Sequence, residues 1–269
     1  MSNYETNTER VKRIVGKLRR TKRISENTYE SFADERPGNN ARGFINAKEY
    51  FEDLFYSILN AKRSIYICGL CISPELFLIR PVSANVNYET KFMDVLKIKA
   101  EEKVMIKILV YKELPATVVT GSLHAKKTLN FLHPNIKVRR RPKNKFTLKM
   151  WANHEKIVVI DEEIAYVGGI DLFWGRYDNE SLPITDEPND KNLYIFPGLD
   201  YSNDRLKDKT DLKPFMTDYI NRAEFQRMPW HDVAVRLEGP VVIDALRHFL
   251  QRWFFRIDHK NRYPVGFSI

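Results

Sequence analysis

N-H-E-K-I-V-V-I-D-E-E-I-A-Y-V-G-G-I-D-L-F-W-G, Asn153 to Gly175, is the stretch from which the rest of the chain is best understood. Its apolar runs and acidic centre have the form of a β-hairpin. Ile157, Val158, Val159 and Ile160 make a buried strand, Asp161-Glu162-Glu163 a turn, and Ile164 to Val167 the returning strand. Side chains alternate faces along an extended strand, so His154 and Lys156 project from the same side, with Cα atoms roughly 6.6 Å apart by strand rise. Such a pair can hold one phosphate. A neutral imidazole offers a nucleophilic nitrogen, and an adjacent ammonium stabilises the charge that builds on phosphoryl oxygens during attack. Gly168 and Gly169 are expected to let the backbone approach a bound anion.

H-x-K alone is a weak signal, because His124 and Lys126 repeat it in S-L-H-A-K-K within an expected helix. The longer spacing is more specific: H-x-K, four residues, Asp161, six residues, then Gly-Gly.

Composition bounds the function. A chain of 269 residues buries a sizeable core, and its net charge of +9 favours anionic partners, either phospholipid headgroups or nucleic acid. There is no run of about 18 apolar residues, and Met1 to Arg10 is polar, unlike a secretory signal; a cytoplasmic protein is expected. Residues 1–25 read as a basic amphipathic arm. Val11, Ile14, Val15 and Leu18 recur at helical spacing among Arg and Lys, a pattern suited to an anionic membrane surface and equally to a solvated arm. Both cysteines fall in C-G-L-C, Cys68 to Cys71, inside an expected strand from Ser64 to Ile72. Three steps along a strand place them about 10 Å apart on opposite faces, so core thiols are expected rather than a disulfide or a metal site.

In chain order, a helix is expected from an Asn46 cap with Glu49 as its capping-box partner, followed by the strand from Ser64, a helix around Tyr88 to Lys103 and the strand Val104 to Tyr111. A helix around Ser122 to Leu132 and strands Ile136 to Arg141 and Phe146 to Trp151 lead into the hairpin. Asn179 to Leu212 reads as a long irregular connection, before a strand through Val233, Val235 and Leu237 and a final helix through Leu246, Phe249, Leu250 and Trp253. Alternating strands and helices indicate a layered α/β domain.

The motif resembles the HKD motif of the phospholipase D superfamily, and the resemblance extends well beyond it. N-A-R-G-F at Asn40, S-P-E at Ser73, L-H-P-N-I-K-V at Leu132, G-G-I-D-L-F-W-G-R-Y-D, D-Y-S-N, M-P-W-H-D-V and R-H-F-L-Q-R-W all look like eukaryotic phospholipase D, from about Glu30 to about Trp253. Departures are Asn153, where the family usually has a second His, and Leu70-Cys71, where it usually has aromatic residues. The resemblance covers only the amino-terminal half of that family's catalytic region. It implies an α-β-α layered phospholipase D/nuclease-type domain with a mixed β-sheet, one half of the usual duplicated pair. Residues 26–258 would form this half-domain, with the motif at 153–178, and residues 259–269 a tail.

By the same resemblance His154 is the nucleophile that forms a phosphohistidine, Lys156 the phosphate ligand and Asp161 the motif carboxylate. Gly168, Gly169 and Asp171 of G-G-I-D-L lie on the phosphate-binding side. Asp232 of W-H-D-V matches an acid that orients the His of the opposite half, and His231 beside it is expected to be structural. No cofactor or metal is implied. Because no second H-x-K-x-x-x-x-D occurs in the chain, the acid that protonates the leaving alcohol must come from elsewhere. A fragment of a longer chain, a half-enzyme that dimerises and a retained binding module are the three explanations, ranked in that order. The leading function is phospholipase D hydrolysis of phosphatidylcholine-type lipids at an anionic membrane surface, by a cytoplasmic, peripherally bound protein. The alternatives are a non-catalytic membrane-binding half-domain using the arm and the Arg139 to Lys149 cluster, and a dimeric phosphodiesterase on nucleic acid. The eukaryotic-type blocks count against nucleic acid.

Overall fold

The structure is a computed structural model, and it describes residues 27–83, 90–113, 120–141, 152–186, 193–208 and 214–254, with backbone at 256–257 and 264–265. The expected arm at 1–25 and the strand at 146–151 lie outside the described residues, as does most of the tail.

Seven strands form one mixed sheet. They are β1 (Asn40–Ile45), β2 (Ser64–Gly69), β4 (Met105–Tyr111), β5 (Ile136–Arg141), β6 (Lys156–Ile160), β7 (Ile164–Gly168) and β9 (Val233–Glu238), in the order β1-β9-β7-β6-β2-β4-β5. β2, β4 and β5 run parallel, while β1, β9, β7, β6 and β2 alternate in direction. The short strands β3 (Val82–Ser83) and β8 (Leu193–Tyr194) form a separate antiparallel pair, and so do β10 (Arg256–Ile257) and β11 (Pro264–Val265).

Alternation along the central strands divides the core into two layers. Ile65 and Ile67 of β2, Val158 and Ile160 of β6 and Tyr166 of β7 join the core under α1 (Ala47–Leu59), α2 (Phe92–Glu101) and α3 (Ser122–Leu132). Tyr66, Cys68, Ile157, Val159 and Ala165 face the other way, against Leu246, Phe249 and Trp253 of α4 (Val242–Phe254). The fold is therefore α-β-α layered, as expected. Each large apolar side chain buried this way contributes about 1.5–3 kcal/mol before chain entropy is counted.

The hairpin forms as read, with Ile157 opposite Val167 and Ile160 opposite Ile164. Its turn is tight: Asp161 (φ 53°) and Glu162 (φ 65°) both take left-handed backbone, and the Glu163 amide closes on the Ile160 carbonyl at 3.0 Å. Asp161 stabilises this conformation by accepting from the amides of Lys62, Arg63 and Ser64 at 2.7, 2.6 and 2.8 Å.

Two local expectations fail. The strand through C-G-L-C ends at Gly69, so Cys71 lies beyond it; both cysteines are buried free thiols. The Asn46 capping box is not made, because the Asn46 side chain is drawn away. Its Nδ2 donates to the Asn179 carbonyl at 2.9 Å and its Oδ1 meets His231 Nδ1 at 2.7 Å.

Candidate active site

All the candidate residues except Asp161 gather at one end of the sheet, where β2, β4 and β5 terminate and β6 and β9 begin. Open α/β sheets bind ligands outside the carboxyl ends of their parallel strands. His154 precedes β6 and is exposed, while Lys156, its first residue, is buried at 7% exposure. Both face the three-helix layer, as the period of two requires. Lys156 Nζ lies 3.4 Å from His154 Nδ1 and donates to the His154 carbonyl at 2.9 Å. Its charge is matched by Asp171, whose Oδ2 sits 3.0 Å away in an equally buried position. The other Asp171 oxygen accepts from the Leu70 amide at 3.0 Å, tying the site to the end of β2.

Not every expected site residue takes the role assigned to it. Asp161 lies at the far end of β6, five strand steps or roughly 16 Å from Lys156, and its carboxylate is consumed by three backbone amides. It shapes the turn and lies far from His154 and Lys156. Asp171, placed with the phosphate ligands, is found paired with Lys156. Gly168 and Gly169 are required, but for another reason than anion approach. A Cβ on Gly168 would stand 2.5 Å from the Val233 carbonyl oxygen, and one on Gly169 would stand 2.1 Å from Asp232 Oδ1. Their bareness lets β9 close on β7 and seats Asp232 over the chain. Asp232 thus borders the same end of the sheet. Its oxygens accept from Trp230 Nε1 at 3.3 Å and the Val233 amide at 2.8 Å.

The ring of His154 has no carboxylate partner among the described residues, and Asp232 has no histidine. Among the described residues there is also no cluster of three or more metal-ligating side chains.

Supporting residues that the sequence reading missed surround this centre. Glu155, between His154 and Lys156, turns to the opposite layer, where Oε1 receives His248 Nε2 at 3.1 Å and Arg252 Nη2 at 2.5 Å. Period two along β6 and the four-residue spacing of His248 and Arg252 on one helix face were signals that could have found it. Burial pushes the Glu155 carboxyl up, but the hydrogen bonds and charges of His248 and Arg252 outweigh it and hold the group at about 2. Burial pushes the Cys68 thiol up to about 12, although Asn153 Nδ2 donates to its sulfur at 3.0 Å. Asn153 thus packs inward beside His154. Buried ion pairs Arg227–Asp178 (3.0 Å) and Arg80–Asp200 (2.6 Å) brace the loops around the site. Asp178 also accepts from the Trp230 amide, and Asp200 from the Gly175 amide.

The sequence profile of the family described as Phospholipase D matches residues 57–263. The chain is 35% identical to Phospholipase D2 of Bos taurus over 90% of its own length and 28% of that protein's. It is 40% identical to Phospholipase D1 of Saccharomyces cerevisiae over 87% of its length and 14% of that protein's. The chain therefore spans well under a third of these relatives. Among solved structures, it is similar to a phospholipase D family member, Nuc, from Salmonella typhimurium, at 11% identity and a TM-score of 0.43, covering 80% of this chain and 95% of that one. The profile match extends over most of the sequence and includes the His154-Glu155-Lys156 strand and the Asp171 and Asp232 that flank it, so the chain belongs to the phospholipase D family.

Proposed function

We propose that this chain is one catalytic half of a phospholipase D, hydrolysing phosphatidylcholine-type phospholipids to phosphatidic acid and free headgroup. The observation that carries the reading is the exposed His154 imidazole 3.4 Å from the Lys156 ammonium, itself fixed by buried Asp171. An imidazole nitrogen attacks phosphorus, and the ammonium stabilises the charge on the phosphoryl oxygens. The alcohol leaves with a proton from an acid on a second half, and water cleaves the phosphohistidine. Asp232 would orient the histidine of that second half, whether it lies on another copy or on further sequence. The net charge of +9 suits an anionic membrane surface, and no helix among the described residues is long and apolar enough to cross a membrane. The charge is the feature that supports peripheral association with a membrane.

His154→Asn is expected to abolish phosphatidylcholine hydrolysis and the trapping of labelled phosphoenzyme, since an amide forms no phosphoryl intermediate. Phosphoenzyme on that variant would remove His154 from the nucleophile's role. A wild-type chain that binds lipid vesicles without turnover, alone or with a second half, would favour the non-catalytic reading.

A further inference from the structure

Formal charges at the open end of the sheet leave a deficit. Lys156 is neutralised by Asp171 at 3.0 Å, and Asp232 adds a further negative charge. Taken alone, these three groups would repel the phosphodiester that His154 is placed to attack. One more cation is required.

Arg176 meets that requirement. Its guanidinium lies 3.8 Å from the centroid of the Trp230 ring, and the same indole donates through Nε1 to Asp232. Phe173 flanks it at 5.7 Å. Arg176 is half-buried and has no carboxylate partner among the described residues, whereas its neighbours Arg80, Arg222 and Arg227 are paired with Asp200, Asp186 and Asp178 at 2.6, 3.2 and 3.0 Å. Those three arginines also lie over aromatic rings, of Tyr177, Tyr201 and Phe196, but each has an acid as well; Arg176 has a ring without an acid among the described residues. Stacking on an aromatic face fixes the guanidinium plane and leaves its N–H fork unsatisfied, an arrangement suited to bidentate contact with phosphate. Arg176 and Lys156 also act on a common point. Burial raises the Cys71 thiol, with Asp171 adding to the rise, while Arg176 and Lys156 both oppose it. Both cations therefore lie within electrostatic range of Cys71, which follows β2.

We propose that Arg176, held on Trp230, is a second phosphate-binding residue of this site, contacting the non-reacting phosphoryl oxygens opposite Lys156. The inference rests on the reading of His154 and Lys156 as a phosphate site.

The test is a phosphorus NMR titration of the full chain with inorganic phosphate, which needs no turnover. Arg176→Gln and Lys156→Ala are each expected to weaken binding roughly tenfold or more, the loss of charge-assisted hydrogen bonds, and Arg176→Lys to fall between Arg176→Gln and wild type. Circular dichroism of each variant checks folding, and if Arg176→Gln does not fold, Arg176→Lys carries the test. Phosphate affinity unchanged in the Arg176 variants but weakened by Lys156→Ala would overturn the role of Arg176 alone. Affinity unchanged in all three variants, or no binding by the wild-type chain, would overturn the phosphate site as well.

Discussion

Lys156 depends on Asp171 as much as phosphate would depend on Lys156. Both side chains are nearly excluded from water, so removing one partner leaves a charge that the interior does not solvate. Asp171→Asn is expected to destabilise the chain by about 3 kcal/mol in urea unfolding, near the lower end for breaking a buried pair. The double variant Asp171→Asn with Lys156→Met should recover most of that loss and remain inactive. An unchanged midpoint for the single variant would show that the pair does not hold the site. The two glycines should separate in the same way. Gly168→Ala sets a methyl against the Val233 carbonyl and the Ala234 backbone, which cannot rotate away, and is expected to cost about 1–3 kcal/mol. Gly169→Ala meets a carboxylate that can swing aside, so its expected cost is loss of activity through a displaced Asp232, with a smaller change in melting temperature. Equal destabilisation by both would contradict this. His154 and Lys156 were legible in the sequence because alternation along a strand fixes their common side. The roles of Asp161, Asp171 and Arg176 were not, because each depends on which loop folds back onto it, and no local period encodes that.

At the level of elements, β6 is tied to α4 through Glu155, His248 and Arg252, which anchors the strand that presents His154 from the layer opposite the site. The pH dependence follows from this tie. A carboxyl held at about 2 in the folded chain, against an ordinary value of 4.5, binds protons less readily folded than unfolded. Its contribution to stability is therefore complete above about pH 4.5 and disappears as pH falls through about 2. Glu155→Gln should lower stability at neutral pH and flatten the acid limb of the stability profile across that window. The check is urea unfolding at a series of pH values, and an identical acid limb in the variant would show that other carboxylates set it. Regular elements were the most legible part of the fold. The bounds of α3 and β5 match their expected spans, and the hairpin keeps its register. β1 was not recognised as a strand, because five of its six residues are exposed and only Phe44 enters the core, leaving no alternation to read. The Asn46 cap failed for a related reason: a distant segment, His231 and Asn179, competes for the side chain that local sequence assigns to the helix.

At the scale of the whole molecule, the candidate site lies beside an apolar surface. Ile45 of β1 and Val233 of β9 are register partners, and both are exposed, at 66% and 56%. They adjoin Asp232 at the end of the sheet where His154 has no acid partner among the described residues. A second half seated there would cover the two apolar side chains and bring its own histidine to Asp232, and a two-fold arrangement of identical chains satisfies both halves at once. Activity of this chain alone is therefore expected to require self-association, with turnover per chain rising with protein concentration until the dimer is saturated. Val233→Lys, which places a charge on the apolar surface and leaves His154, Lys156 and Asp232 in place, should shift sedimentation toward monomer and reduce specific activity in parallel. Mixing His154→Asn with Asp232→Ala chains should not restore wild-type activity, because a mixed dimer contains only one intact histidine and cannot supply both nucleophile and acid. A monomer with full activity at the concentration of the assay would refute the two-fold site. A monomer without activity that gains it when a second half is added would instead assign the missing histidine to other sequence.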